Sequence, residues 1–144
     1  GVYVLAATNH PERIDKAVLR TGRIDELVYV DMPDKEARKS LFALELSKLP
    51  KDESIDTERL ANLTEGYNCS DITYIVKSAA RKKFNESVDS PDGELQDITQ
   101  SQLEDIIAKR SPSVSSRELR EYERVRSEFT PKDEGCKHVG IGFR

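Results

Sequence analysis

Apolar positions along this chain change their spacing once, near residue 33. Before that point they run continuously, as Val2-Tyr-Val-Leu-Ala-Ala-Thr8 and again as Glu26-Leu-Val-Tyr-Val-Asp31. Short unbroken runs of this kind predict buried strands. Met32-Pro33-Asp34 closes the second run, because proline cannot donate to a ladder and aspartate can cap a helix. Beyond Asp34 the period becomes helical. Ala37, Leu41 and Leu44 share one face of a first helix that stops at Pro50, and Asp56–Leu63 predicts a short second one ended at or near Gly66. A third helix begins near Asn68, where Asn68 and Asp71 form an Asx relative of the capping box. Ile72, Ile75, Val76, Ala79 and Ala80 follow at helical spacing, with Phe84 near its end. Asp89-Ser-Pro-Asp-Gly-Glu94 reads as a loop by its turn residues. Thr99-Gln-Ser-Gln102 opens a fourth helix with Leu103, Ile106 and Ile107 inward. Ser115-Ser-Arg-Glu118 has capping-box form before a stripe of Leu119, Tyr122, Val125 and Phe129. Three glycines in the last ten residues, from Gly135 to Arg144, predict a flexible terminal peptide.

Composition narrows the function classes. Charged residues make up 35% of the 144, with both signs interspersed and a net charge of -4. That argues against a nucleic-acid patch or a basic membrane surface and for solvated helix faces. Cys69 and Cys136 stand far apart, and His10 and His138 occur without a His-Glu-x-x-His motif, so neither a disulfide framework nor a metal site is indicated. No apolar run approaches the roughly 20 residues that cross a bilayer, and no signal-peptide pattern appears. The expected location is cytoplasmic.

Candidate chemistry gathers after the first apolar run. Asn9 places an amide at a predicted strand tip, and Arg20 and Arg23 follow on a polar loop with Gly22 in the turn between them. In open α/β sheets, reactive groups collect beyond strand carboxyl ends. An amide both donates and accepts, so a rigidly held Asn9 can orient water, whereas a guanidinium fork suits phosphate charge. The plainer readings are an Asx turn at Asn9 and surface pairs of an arginine with Asp15 or Asp25.

The run Ala6-Ala-Thr-Asn-His-Pro-Glu-Arg-Ile-Asp-Lys-Ala-Val-Leu-Arg-Thr-Gly-Arg-Ile-Asp25 closely resembles the second half of the ATPase domain in the AAA clade of AAA+ ATPases. The resemblance extends over about residues 2 to 129. It implies that Asn9 is the first sensor and that Arg20 and Arg23 are arginine fingers acting on a neighbouring subunit's nucleotide. Gly66-Tyr-Asn-Cys-Ser-Asp71 resembles the family's Gly-Phe-Ser-Gly-Ala-Asp turn, which implies adenine contact at Gly66, Cys69 and Ser70. Asn68 and Cys69 depart from the family's serine and glycine there, and the Cys69 side chain could crowd a base. Asp71 reads as a cap or hinge acid, and no second-sensor arginine stands on that helix. Residues 113–129 resemble the closing helix of valosin-containing-protein-like and katanin-like members.

The implied fold is α+β, mainly α. It comprises the end of a large α/β P-loop ATPase subdomain over residues 1–33, a four-helix lid over 34–110, and a C-terminal helix and flexible tail over 111–144. No Gly-x-x-x-x-Gly-Lys-Ser/Thr loop and no apolar strand ending in Asp-Glu occurs in these residues. Those elements cradle phosphates, hold magnesium and position water. The resemblance therefore implies a piece of a hexameric ring ATPase that uses ATP with Mg²⁺ to unfold or disassemble proteins, inactive by itself, with an adaptor site possible at the tail. Two alternatives stay open: a non-catalytic assembly or adaptor-binding module, and a microtubule-severing or membrane-remodelling enzyme.

Overall fold

A computed structural model describes residues 1–20, 22–24, 26–88 and 96–129 of the chain. The architecture is mainly α. Five helices occur among the described residues: α1 (Lys35–Leu46), α2 (Thr57–Leu63), α3 (Cys69–Val88), α4 (Gln100–Ala108) and α5 (Ser116–Phe129), preceded by a 3₁₀ turn at Pro11–Arg13. They fall into two compact units, residues 31–115 with α1 to α4, and residues 1–30 together with α5. The expected loop Asp89–Glu94 and the terminal peptide from Gly135 lie outside the described residues.

Within residues 31–115 the predicted caps form. Asp34 Oδ1 accepts from the Ala37 N–H at 2.7 Å, and Asp56 Oδ1 accepts from Glu58 and Arg59 N–H at 2.9 and 3.0 Å. Asp71 N–H donates to Asn68 Oδ1 at 2.8 Å while Asn68 N–H reaches Asp71 Oδ2 at 3.4 Å, the reciprocal pattern expected from their spacing. Thr99 caps α4. The apolar faces then meet in one core. Phe42 and Leu46 of α1, Leu60 of α2, Ile72, Ile75, Val76 and Ala79 of α3 and Leu103 of α4 are all at most 1% exposed. Each buried aliphatic or aromatic side chain contributes about 1.5–3 kcal/mol. One isolated parallel bridge, Lys51 with Ile98, ties the segment before α2 to the segment before α4: Ile98 N–H donates to Pro50 O and Asp52 N–H to Ile98 O.

The face of α1 differs from the one its apolar residues suggested. Arg38, Phe42 and Leu46 point inward and Leu44 is 40% exposed. A charged residue conceals this register in the sequence. Arg38, 7% exposed, donates from Nη1 to Pro33 O at 2.9 Å, and from Nη2 and Nε to Ala61 O at 3.1 and 3.3 Å. Ala61 lies in the last turn of α2, whose carbonyls have no intrahelical partner and carry the negative end of the helix dipole. A buried cation is thus satisfied without a carboxylate. Arg38→Met is expected to lower the unfolding free energy of the chain by about 2–3 kcal/mol, the scale of hydrogen bonds to a charged group. Urea unfolding measures this, and a loss below about 0.5 kcal/mol would mean the clamp contributes no more than a surface residue.

Residues 2–8 and 26–31, expected as two strands, form no strand in the structure. Val2, Tyr3, Val4 and Leu5 are 82–99% exposed. Two such runs make no stable sheet by themselves: no ladder partner exists among the described residues, and an unpaired strand leaves its backbone groups to water. In the same unit Val125 of α5 is buried, and the Arg126 guanidinium stands 5.2 Å from the centre of the Tyr29 ring. The stripe on α5 therefore buries at Val125, with Leu119 and Tyr122 half-buried.

Candidate functional site

The loop from Asn9 to Arg23 is held by its own backbone. Pro11 opens the 3₁₀ turn, where its missing N–H costs nothing. Asp15 Oδ1 accepts from Ala17 N–H at 2.8 Å and Asp15 O from Val18 N–H at 2.8 Å, so the aspartate folds the next turn. Gly22, at φ +86°, occupies the left-handed region that the tight turn before Arg23 requires. Arg23 N–H then donates to Arg20 O at 3.1 Å, and Arg23 Nη1 reaches back to Ala17 O at 3.0 Å. Arg20 is exposed and its side chain makes no hydrogen bond or ion pair among the described residues. Asn9 is exposed, following Thr8, whose hydroxyl accepts from His10 N–H at 3.0 Å. The two arginines are thus unlike: one braces the loop, the other projects from it.

The turn Gly66–Asp71 belongs to the other unit. Gly66 has φ +78°, and a β-carbon there would find Pro112 Cγ at 3.9 Å, so backbone conformation rather than crowding requires glycine. Cys69 and Ser70 begin α3 and are exposed, lining an open depression of about 350 Å³ with Thr73, Tyr74 and Lys77. That size falls within the range of small-ligand sites. Its lining sets the small side chains of Cys69, Ser70 and Thr73 beside the larger ones of Tyr74 and Lys77.

Behind the turn lies a polar junction. Asp71 is 2% exposed; its Oδ1 accepts from Arg110 Nη2 at 2.9 Å, and its Oδ2 from Ser113 N–H at 3.1 Å and Ser113 Oγ at 2.8 Å. Asn68 Nδ2 donates to Ser113 Oγ at 2.9 Å, and the Tyr67 hydroxyl donates to Arg110 O at 2.6 Å. The Arg110 guanidinium also lies 4.2 Å above the Tyr74 ring. Burial pushes the Asp71 carboxyl upward, but the Arg110 guanidinium and the Ser113 donors more than offset it, holding the group below its ordinary value. Burial, and then the Asp71 charge, raise the Tyr67 phenol. Asp71 is therefore a cap and a clasp, joining the start of α3 to the segment after α4.

Arg110 and Ser113 carried no signal in the sequence. They reach Asp71 across 39 and 42 residues, a distance at which periodicity and capping rules are silent. Asn9, Arg20 and Arg23 share the unit of residues 1–30, and Gly66, Cys69 and Ser70 share the other. Among the described residues no cluster of His, Cys, Asp or Glu could hold a metal ion, and no helix is long and apolar enough to cross a membrane.

Comparison with known proteins bears on this geometry. Residues 54–104, which include α2, α3, the Gly66–Asp71 turn and the first half of α4, match the family model of the AAA+ lid domain. A protein of Plasmodium falciparum (isolate 3D7) named "Putative cell division cycle ATPase" is 38% identical over 87 residues. That alignment covers 60% of this chain and 7% of the relative, so the chain spans a small part of the relative's length. Over these stretches the chain is similar to an AAA+ lid domain and to a small part of a protein named as an ATPase.

Proposed function

We propose that this chain is the lid-bearing part of a ring-forming AAA+ ATPase of the valosin-containing-protein-like kind, which couples ATP hydrolysis to unfolding or disassembling proteins. The carrying observation is the AAA+ lid match at residues 54–104, read with the Asn9-to-Arg23 run that precedes it. Bound ATP supplies the phosphoanhydride whose cleavage drives the motion. In this reading a purine base sits in the opening lined by Cys69, Ser70, Thr73, Tyr74 and Lys77. Magnesium ligands belong with the phosphate loop in this reading.

Each residue then has a distinct task. The Asn9 amide holds the attacking water, donating or accepting as needed. Arg20 projects into the neighbouring subunit's site and neutralises charge developing on the transferred phosphoryl group. Arg23 braces the loop that carries Arg20 through its bond to Ala17 O. Because Arg20 serves a neighbour, hydrolysis requires assembly through heterologous interfaces that close into a ring, a hexamer in this reading. Protein substrates and a tail-binding adaptor are the partners, in the cytoplasm. A binding-only role for the lid and tail leaves the finger arrangement without a purpose.

The isolated 144 residues are expected to bind ATP no better than about millimolar and to hydrolyse none, because backbone amides of a phosphate loop supply most of the affinity for phosphates. A longer form that includes such a loop is expected to bind at micromolar levels and to turn over faster when an unfolded protein is added. Calorimetry and phosphate release measure both. Micromolar ATP affinity in the isolated chain, or an assembled longer form with no turnover, would overturn the reading.

A further inference from the structure

Ser113 lies on the irregular segment between α4 and α5 and is exposed, yet it supplies two of the hydrogen bonds that the buried Asp71 carboxylate accepts. Its Oγ–H donates to Asp71 Oδ2 at 2.8 Å and its N–H to the same oxygen at 3.1 Å, while its Oγ accepts from Asn68 Nδ2 at 2.9 Å. The hydroxyl is thus on the surface and also part of the tie between the start of α3 and the chain after α4. Ser111 gives the contrast: it is exposed, and its side chain makes no hydrogen bond among the described residues.

Charge at the clasp is balanced as it stands. Asp71 is 2% exposed, and its negative charge is met by Arg110, whose Nη2 stands 2.9 Å from Oδ1. The contact to Ser113 holds only while its hydroxyl donates. A phosphate ester on Oγ has no proton to give, and it brings about −1.5 to −2 charges at neutral pH. Those charges would face Asp71 where one hydrogen bond now spans the gap. Arg110 can answer one anion but not both, and either choice leaves a charge short of its partner. Asp71 cannot withdraw, because it is buried in the first turn of α3 and its N–H is bonded to Asn68. The exposed segment can.

The residues before Ser113 suit one class of modifying enzyme. Lys109 and Arg110 precede it by four and three positions. Protein kinases with an acidic substrate cleft select serines by such N-terminal cations. Arg124 stands at the same spacing before Ser127, but that serine is inside α5, where the backbone is not free to extend. Arg110 cannot pair with Asp71 and with a kinase carboxylate at once, so the segment is modified in its opened form.

We propose that Ser113 is a phosphorylation site for a kinase of this basic-directed class, and that its phosphate opens the clasp between the start of α3 and the segment leading into α5. In the transfer, Ser113 Oγ bonds the γ-phosphorus of a nucleoside triphosphate and the bridging bond to the β-phosphate breaks. The nucleoside diphosphate leaves, and the hydroxyl proton passes to the kinase's catalytic carboxylate. The switch acts on the chain's own clasp and does not depend on the ATPase reading.

The test uses the 144-residue chain. Incubated with Mg-ATP and the catalytic subunit of cyclic-AMP-dependent protein kinase, it is expected to carry phosphate on Ser113 by mass spectrometry, and Ser113→Ala is expected to remove that modified peptide. The chain bearing phosphate on Ser113, made uniform by encoding phosphoserine there, is then unfolded in urea. Its unfolding constant is expected to rise at least about tenfold over the unmodified chain, and further than Ser113→Ala raises it, since alanine removes the hydroxyl without adding charge. In Asp71→Asn the same phosphate is expected to cost little, because a neutral amide donates to it. The proposal is overturned if the kinase leaves Ser113 unmodified, or if phosphate and alanine at 113 are equally tolerated. It is equally overturned if the cost of the phosphate persists in full in Asp71→Asn, since repulsion from Asp71 would then not be its source.

Discussion

Replacing Arg20 with alanine in the assembled ring is expected to lower ATP turnover by about 10³-fold while leaving ATP affinity nearly unchanged, the scale of arginine fingers elsewhere. The expectation follows from the contrast between the two arginines. Arg23 is committed to Ala17 O at 3.0 Å, whereas the Arg20 side chain has no partner among the described residues. Arg20→Lys should restore little, because an ammonium keeps the charge but lacks the planar fork. Arg23→Ala removes the brace, so its loss should vary with temperature as the loop loosens. Mixed rings decide the placement. When Arg20→Ala subunits are combined with subunits lacking a working phosphate loop, each defect should appear in the neighbour's site. If every Arg20→Ala subunit fails in its own site alone, the assignment across the interface is wrong.

Asp71→Ala is expected to cost the chain about 3 kcal/mol, because it removes a buried carboxylate, leaves Arg110 without its ion pair and strips Ser113 of an acceptor. A smaller second effect belongs to pH. The Asp71 carboxyl is held below its ordinary value in the folded chain, so the unfolded state binds the proton more readily. The stabilisation is then complete above the unfolded value, about 3.9, and is lost as pH falls through the lower folded value. Asp71→Asn should flatten the acid side of the stability curve below about pH 4 and leave its neutral slope alone. Urea unfolding at several pH values reads both numbers. An unchanged acid arm would show that the clasp does not depend on charge. Hydrogen exchange adds a local readout, with the Ser113 N–H losing protection in either variant while Ile75 and Val76 keep theirs.

Local order was legible in residues close together in the chain. Asp34, Asp56, Asn68 with Asp71, and Thr99 announced the starts of α1 to α4, because capping is a contract between a side chain and an N–H two or three residues on. The inward faces of α3 and α4 followed from 3.6 periodicity up to Ala80 and Ile107. The left-handed turns at Gly22 and Gly66 fell where glycine was needed. What tertiary structure alone decided involves partners far apart. Arg38 turned inward because Pro33 and Ala61 offered carbonyls, which no hydropathy pattern records. Phe84 continues the α3 stripe yet stands 60% exposed, an outcome the periodicity does not record. The runs at residues 2–8 and 26–31 stayed without a ladder, since a strand is a property of a pair and not of a segment. Arg110 and Ser113 closed on Asp71 only when the segment after α4 returned to the start of α3, a contact set by chain path and invisible to any local rule.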